Sequence, residues 1–559
     1  MADAILMWHC YHRRSQRQQN TSANLRAGPG SYGVLQSLPT GLYGQPGTAN
    51  ASVCNCDQQG LRSTMAQAMY LLLLTLPLVI SVSHPVNPGC RIRITSKGLQ
   101  FVKHEGLKFV EEELENITIP DLTGNEGRFS YSINNVRVTH LQLHFSELLF
   151  QPHKQLVLDI NNASISLTFQ RKLLYWLFYD VGMINASAEG VHIKTELDLA
   201  RDPGGRLKIA NLSCEASINK MQAGFSGTLK KVYDFLGSFI TTGMRFLLNQ
   251  QICPALRHAG LVLLNSLLNT VPVRNAVDDY IGIDYSLLSD PDVSEDSLDM
   301  DFKGMFFSLT EPNQTLPNLS PALHIKQQER MVYIALSEYF FDSALYAYYQ
   351  SGVLSLDIAG EQMPKDLEVL LRTSYFGTLM LMDPSVSESP MKLELRVSTP
   401  PRFTIKPTGT SVTVNAILNI YLDPPDQPLI QLSSMTMESR LSAKVTLKKT
   451  TLQVQLDLKR FRIYSNKSAL ESLALIPLQN PLKTLLQLTV MPVLNERTKR
   501  GVRIPLPEGL DFIRETTSHH AGFVLIGGDL HFSKSLREVI NEYRPAPTAP
   551  PSTGPNESI

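Results

Sequence analysis

The chain of 559 residues lacks an excess of either charge: 51 Lys and Arg stand against 51 Asp and Glu. No basic excess therefore invites nucleic acid. It also lacks a long apolar run. The most continuous one, Leu71 to Val82, is only about a dozen residues, too short to span a bilayer comfortably. Cysteine is sparse, with six in all, and Cys10, Cys54 and Cys56 come before that run. Beyond it stand Cys90, Cys214 and Cys253, enough for one disulfide and a leftover thiol, with three pairings open. Catalytic signatures are missing as well: no H-E-x-x-H, G-x-S-x-G, Walker loop or G-x-G-x-x-G occurs. GFSGT at 224–228 lacks the final glycine of a nucleophile elbow, and Cys54 and Cys56 have no further ligands nearby. These absences point away from an enzyme, a metal site or a cofactor.

The remaining polar clusters read as ordinary surface. His519 and His520, adjacent on a strand, point to opposite faces. Asp299 and Asp301 in DMDF read as a solvated strand edge rather than an acid–base pair. Arg497, Lys499 and Arg500 read as a solvated loop, with protease cleavage or heparin contact as the alternative.

What is present points to export. Residues 65–83 have an apolar core followed by small residues, the pattern of a signal peptide cleaved after Ser83 or slightly later, with an uncleaved anchor as the alternative. Translation then starts at Met65 or Met69, and residues 1–64 form an upstream extension, disordered or untranslated. Between residues 84 and 543, Asn-x-Ser/Thr sequons occur at Asn116, Asn162, Asn185, Asn211, Asn313, Asn318 and Asn466, as expected of a secreted glycoprotein. Asn318 stands so near Asn313 that both need not be used.

Periodicity gives the fold class. Leu99, Val102, Leu107, Val110 and Leu114 follow helical spacing until Pro120. Ile165, Leu167 and Phe169 alternate with polar residues, as do Val191, Ile193, Leu197 and Leu199, the mark of antiparallel sheet with one wet face. A long helix follows through Phe235, Leu236, Phe239, Ile240, Phe246 and Leu247, and Pro254 is expected to kink or break it. The theme then repeats. Strands run through 391–397, 412–422, 441–447 and 452–458, followed by a helical stretch over 468–496 that Pro477 and Pro481 interrupt. This is an α+β chain of two similar units, 84–308 and 322–543, joined by a proline-rich linker at 309–321. The Pro-rich tail, 544–559, reads as disordered.

One stretch fits poorly in a solvated protein. RKLLYWLFYD, 171–180, carries one of only two tryptophans amid large apolar residues. It is either a buried strand or a surface that meets something apolar.

Several long strings decide between these readings, among them NPGCRIRITSKGL (87–99), LLYWLFYD (173–180), MRFLLNQQICP (244–254), GIDYSLL (282–288) and HAGFVLIGGDLHF (520–532). With others they carry a resemblance, over about Asn87 to Arg544, to the family of bactericidal/permeability-increasing protein, lipopolysaccharide-binding protein and cholesteryl ester transfer protein. The resemblance implies a boomerang of two pseudo-symmetric barrels, each a twisted antiparallel sheet wrapped on long helices, joined by a central sheet. It implies a disulfide between Cys214 and Cys253, leaving Cys90 free. It places Phe239, Met244 and Leu247 in the wall of an N-terminal lipid pocket and Phe532 in that of a C-terminal one. It makes Trp176, Leu177 and Phe178 a lipoprotein-docking cluster at the far tip of the first barrel. The implied function is a secreted carrier of phospholipid that serves high-density lipoprotein and its apolipoproteins. Lipopolysaccharide binding in host defence is the second reading. Residues 90–290 carry 20 Lys and Arg against 20 Asp and Glu, which weighs against a cationic, lipopolysaccharide-seeking domain.

Overall fold

The computed structural model describes residues 87–152, 155–224, 230–465, 469–507 and 509–543. The expectations for the leader, the upstream extension, the tail, Asn466 and most of GFSGT lie outside them.

The strand Cys90–Thr95 alternates as CRIRIT, so Cys90 and Ile92 face the core while Arg91 and Arg93 share the other face. It pairs antiparallel with Ser297–Phe302 on one side and Val332–Ser337 on the other. The register sets Arg91 opposite Asp301 and Arg93 opposite Asp299. Arg91 Nε and Nη2 donate to the Asp301 carboxylate at 2.5 and 2.7 Å. Arg93 Nε and Nη2 hold Asp299 in the same way at 2.6 and 2.5 Å. The spare Nη1 atoms donate to the carbonyl oxygens of Leu323 and Ile325 at 2.8 and 2.5 Å. DMDF is therefore no solvated edge. Its strand lies inside the sheet, between Asp292–Val293 and Cys90–Thr95, and its carboxylates are neutralised by forked cation pairs.

The central six-stranded sheet continues through Val332–Ser337 to Phe523–Phe532 and Leu510–His520, so both halves of the chain build it. Two of its neighbouring strands launch equivalent helices. Thr95 caps Ser96–Glu115 by accepting from the Gly98 N–H, and Ser337 caps Glu338–Gln350 by accepting from the Phe340 N–H. Their strands cross antiparallel with Ile92 opposite Ile334, a local two-fold relation at the middle of the fold.

Each half adds a sheet wound on long helices. The N-terminal sheet orders Leu122–Glu126, Phe129–Gln142, Gln155–Tyr175, Phe178–Arg201 and Leu207–Gly224, with Phe145–Gln151 also pairing Gln155–Tyr175. Ile165, Leu167, Phe169, Val191 and Ile193 are buried on its inner face, against Leu236, Ile240, Met244 and Leu248 of the helix Lys230–His258. The C-terminal sheet orders Ser355–Ala359, Met391–Val397, Gly409–Leu422, Ile430–Lys448, Thr451–Tyr464 and Val502–Arg503. Its helical side runs from Ala469 through Ile476–Leu485 to Met491–Arg500. Residues 309–331 carry no helix or strand, but Leu323 and Ile325 are buried against Tyr333 and Leu525 of the central sheet.

Two helical expectations need correction. Val102 sits on the exposed side of its helix. The helix Lys230–His258 also continues through Pro254 without a break: proline removes one hydrogen bond, while buried Ile252 and Leu256 hold both flanks against the core. The ladder changes only later, to a π-helix over Ala259–Leu264. Cys253, just before the proline, is bonded to Cys214 of the strand Leu207–Gly224, and Cys90 is buried and free.

Breaking one clamp tests its weight. Asp299→Ala strands the Arg93 guanidinium and is expected to cost about 3 kcal/mol in chemical denaturation, whereas Arg93→Leu with Asp299→Leu costs less than either single change. Removing the disulfide, which spans 39 residues of chain, with Cys214→Ser and Cys253→Ser is expected to cost up to roughly 4 kcal/mol on chain entropy. Equal stability of the serine variant and the parent would refute that estimate.

Candidate functional site

The curled C-terminal sheet and its covering helices do not close completely. A cavity of about 440 Å³ lies between them, within the usual size of a small-ligand site. Phe306, Phe340, Phe341, Val412, Leu441 and Leu456 are among its apolar lining. A smaller space of about 150 Å³ adjoins it, sharing Leu354, Val397, Val414, Leu441, Leu494 and Arg497. The shared wall makes one apolar tract that runs under the helix Met491–Arg500.

The rim is polar. Asp278, Asp279 and Tyr280 come from the loop between Arg274–Ala276 and Ile281–Asp284, two strands of a small three-stranded sheet. The Tyr348 hydroxyl donates to Asp278 Oδ2 at 2.6 Å. Burial first, then that bond, hold the phenol well above its usual pKa, so it stays a donor. Asp278 Oδ1 accepts the N–H groups of Tyr280 and Ile281 at 2.9 Å each, which fixes the loop over the cavity. Arg497 and Arg500, expected in a solvated loop, are on the last turn of the helix and line the cavity. Helical spacing of three residues turns both to one side.

In the N-terminal half Met244 is fully buried among Leu236, Ile240 and Leu248, Leu247 packs partly against that cluster, and Phe239 is 41% exposed. Phe532 does not line the C-terminal cavity. It ends a strand of the central sheet and stacks on Phe101 of the helix Ser96–Glu115, with ring centroids 5.3 Å apart.

RKLLYWLFYD is a hairpin end. Tyr175 pairs with Phe178 across a two-residue turn of Trp176 and Leu177, with Trp176 at φ 54°. Trp176 is 76% and Leu177 93% exposed, and Leu174, Tyr179, Val181 and Met183 add further exposed apolar surface. Leu173 rather than Leu174 turns inward, beside Arg171, which pairs with Asp180 at 3.1 Å. Tyr175 stacks on Phe129 at 4.3 Å, and the Arg128 guanidinium lies 5.8 Å from the Trp176 ring. Phe178 begins the returning strand, and its side chain is outside the described part. A uniformly buried strand is thus excluded: the segment alternates, and its turn carries bare apolar side chains.

The sequons Asn116, Asn162, Asn185, Asn211 and Asn313 are exposed, while Asn318 donates to the Asn87 carbonyl at 2.6 Å and accepts from the Ser320 N–H. Among the described residues no group of three His, Cys, Asp or Glu is arranged to hold a metal ion, and no helix is long and apolar enough to cross a membrane.

Comparisons with known proteins agree with this architecture. Sequence models of the LBP / BPI / CETP family match residues 98–271 for the N-terminal domain and 275–532 for the C-terminal domain. The chain is 61% identical over 491 residues to phospholipid transfer protein of Homo sapiens, spanning 88% of this chain and 98% of that one. It is 58% identical to the phospholipid transfer protein of Mus musculus over 86% of this chain and 98% of its length. Lipopolysaccharide-binding protein of Homo sapiens is 26% identical, over 84% of this chain and 99% of its own. The crystal structure of lipopolysaccharide binding protein superposes with a TM-score of 0.56 at 21% identity, covering 80% of this chain and all of that one. With two matched domains, a shared central sheet and a boomerang of two pseudo-symmetric barrels, the chain belongs to the LBP / BPI / CETP family.

Proposed function

We propose that the protein is a secreted carrier that moves phospholipid between lipoprotein particles, high-density lipoprotein among them, and that it does so by sequestering acyl chains without covalent chemistry. The observation that carries this reading is the pairing of an apolar cavity, open on one side, in one half with a bare apolar hairpin in the other. The identity to phospholipid transfer proteins supports it.

The two features divide the work. Transfer needs reversible contact with a lipid surface and a shelter for the acyl chains once they leave it. Trp176 and Leu177 supply the contact, with Phe178 as the next residue in the hairpin. An aromatic side chain entering an apolar phase gains roughly 1.5–3 kcal/mol, and Trp favours the boundary between chains and headgroups. A few such contacts hold a particle without trapping the protein there. The C-terminal cavity supplies the shelter. In the N-terminal half we assign acyl contact to the long helix, through Phe239 and Leu247 with Met244 beneath. Glycans on the exposed sequons and the leader at 65–83 suit export to the compartment where lipoproteins circulate.

The test is transfer of a fluorescent phospholipid from vesicles to high-density lipoprotein by the purified protein. Trp176→Ala with Leu177→Ala is expected to lower the rate roughly tenfold while leaving thermal stability unchanged, since both side chains are already in water. Equal rates would return the hairpin to a purely structural role. No transfer by folded parent protein, with binding to lipopolysaccharide instead, would overturn the carrier reading.

A further inference from the structure

The C-terminal cavity has an electrostatic asymmetry that acyl chains alone do not explain. The cations on its lining are Arg497 and Arg500, both exposed and both on the last turn of Met491–Arg500. Neither makes a hydrogen bond or ion pair through its side chain among the described residues, although Asp278 and Asp279 line the same cavity. Asp278 is already engaged by the Tyr348 hydroxyl and by two backbone N–H groups. Asp279 is exposed and likewise has no ion-pair partner. Unpaired charges of both signs therefore stand at the entrance to an apolar chamber.

The helix C-terminus accounts in part for why arginines are comfortable there, since the macrodipole favours cations in the last turn. It does not account for their lining a cavity whose interior is apolar. A ligand whose chains lie along Val412, Leu441 and Leu456 must leave its polar end at the exposed lining, where these arginines are. Guanidinium forks match phosphate oxygens in geometry as well as charge.

We propose that Arg497 and Arg500 bind the phosphate of a diacyl phospholipid held in this cavity, with Asp279 facing the ammonium of a zwitterionic headgroup. The C-terminal half then selects lipids by headgroup, while the apolar tract accepts the chains with little discrimination. This rests on the carrier reading, which supplies the lipid. It adds that an uncharged diacylglycerol with identical chains is a poor occupant.

The experiment uses phosphatidylcholine and diacylglycerol that carry the same photoreactive acyl chain, each presented to the full-length protein in vesicles. Cross-links at Val412 on the strand Gly409–Leu422 and at Leu456 on the strand Thr451–Tyr464, both on the lining of this cavity, report its occupancy. The parent is expected to label with phosphatidylcholine well above diacylglycerol. Arg497→Gln with Arg500→Gln lowers phosphatidylcholine labelling about tenfold and leaves diacylglycerol unchanged. Arg497→Lys with Arg500→Lys recovers part of the loss, because charge is kept and the fork is not. Asp279→Asn weakens phosphatidylcholine but not phosphatidylglycerol, which has no ammonium. Unchanged phosphatidylcholine labelling in the glutamine variant, or an equal fall for both lipids, overturns the headgroup assignment while the carrier reading stands. No labelling of these strands by either lipid in the parent removes the cavity as a lipid site and the assignment with it.

Discussion

Two arginine forks hold this molecule together. Arg91 and Arg93 lie on a strand of six residues near the start of the described residues, and their carboxylate partners lie 210 and 206 residues later. The same side chains reach the backbone of the stretch 309–331, which carries no helix or strand, at Leu323 and Ile325. Three remote segments are thus fixed to one another by six hydrogen bonds between charged or polar groups. Forked pairs are directional in a way that apolar packing is not. A register slip by one residue would place both guanidinium groups in the core and both isoleucines outside it. The central sheet, and with it the relation of its two launching helices, follows from that register.

A firm centre permits looser ends. The core beneath the C-terminal sheet is extensive, yet the fold tolerates a cavity beside Phe340 and Leu441. Large voids are ordinarily costly because their lining loses contacts. A sheet pinned at one side by the central strands, with its helix interrupted by a π segment at Leu486–Val490, has less freedom to collapse inward. The hairpin end shows the same economy in reverse. Trp176 adopts a left-handed backbone, where a glycine or asparagine would rest at less cost. Its strain sets a large, exposed ring at the hairpin turn.

Much of the architecture was legible from spacing alone. Alternation over 164–169 and 191–199 marked strands because one face is wet and the other buried, and the helix from Ser96 followed from Leu99, Val110 and Leu114. The absence of helix and strand over 309–331 was foreshadowed by the prolines at its start. Other features were hidden for identifiable reasons. The partners of Asp299 and Asp301 are remote in sequence, so the carboxylates looked solvated. Pro254 looked like a helix end because local rules do not register the core contacts of its neighbours. The hairpin turn had no Asn-Gly or Gly signal, so nothing local divided RKLLYWLFYD into two strands. Its alternation still held a clue: Leu173 and Leu174 cannot share a face in a strand.

The candidate site was less legible than the fold. A cavity is a property of what fails to fill a space, and apolar periodicity is the same for a packed core and a lined chamber. Met244 illustrates one outcome, sealed among Leu236, Ile240 and Leu248. Val414 and Leu441 illustrate the other, since identical alternation along their strands puts them on a cavity wall. What separates the cases is the polar rim. Charges beside an apolar run are read from sequence as a solvated loop, and Arg497 and Arg500 were so read. Only the fold shows that their helix ends over an apolar cavity, and that Asp278 of the acidic loop near them is already committed to Tyr348 and to its own backbone. In the proposed assignment, two cations with no ion-pair partner among the described residues, beside an apolar cavity, call for a ligand with a matching anion and a long apolar body. That description is narrower than either feature alone would allow.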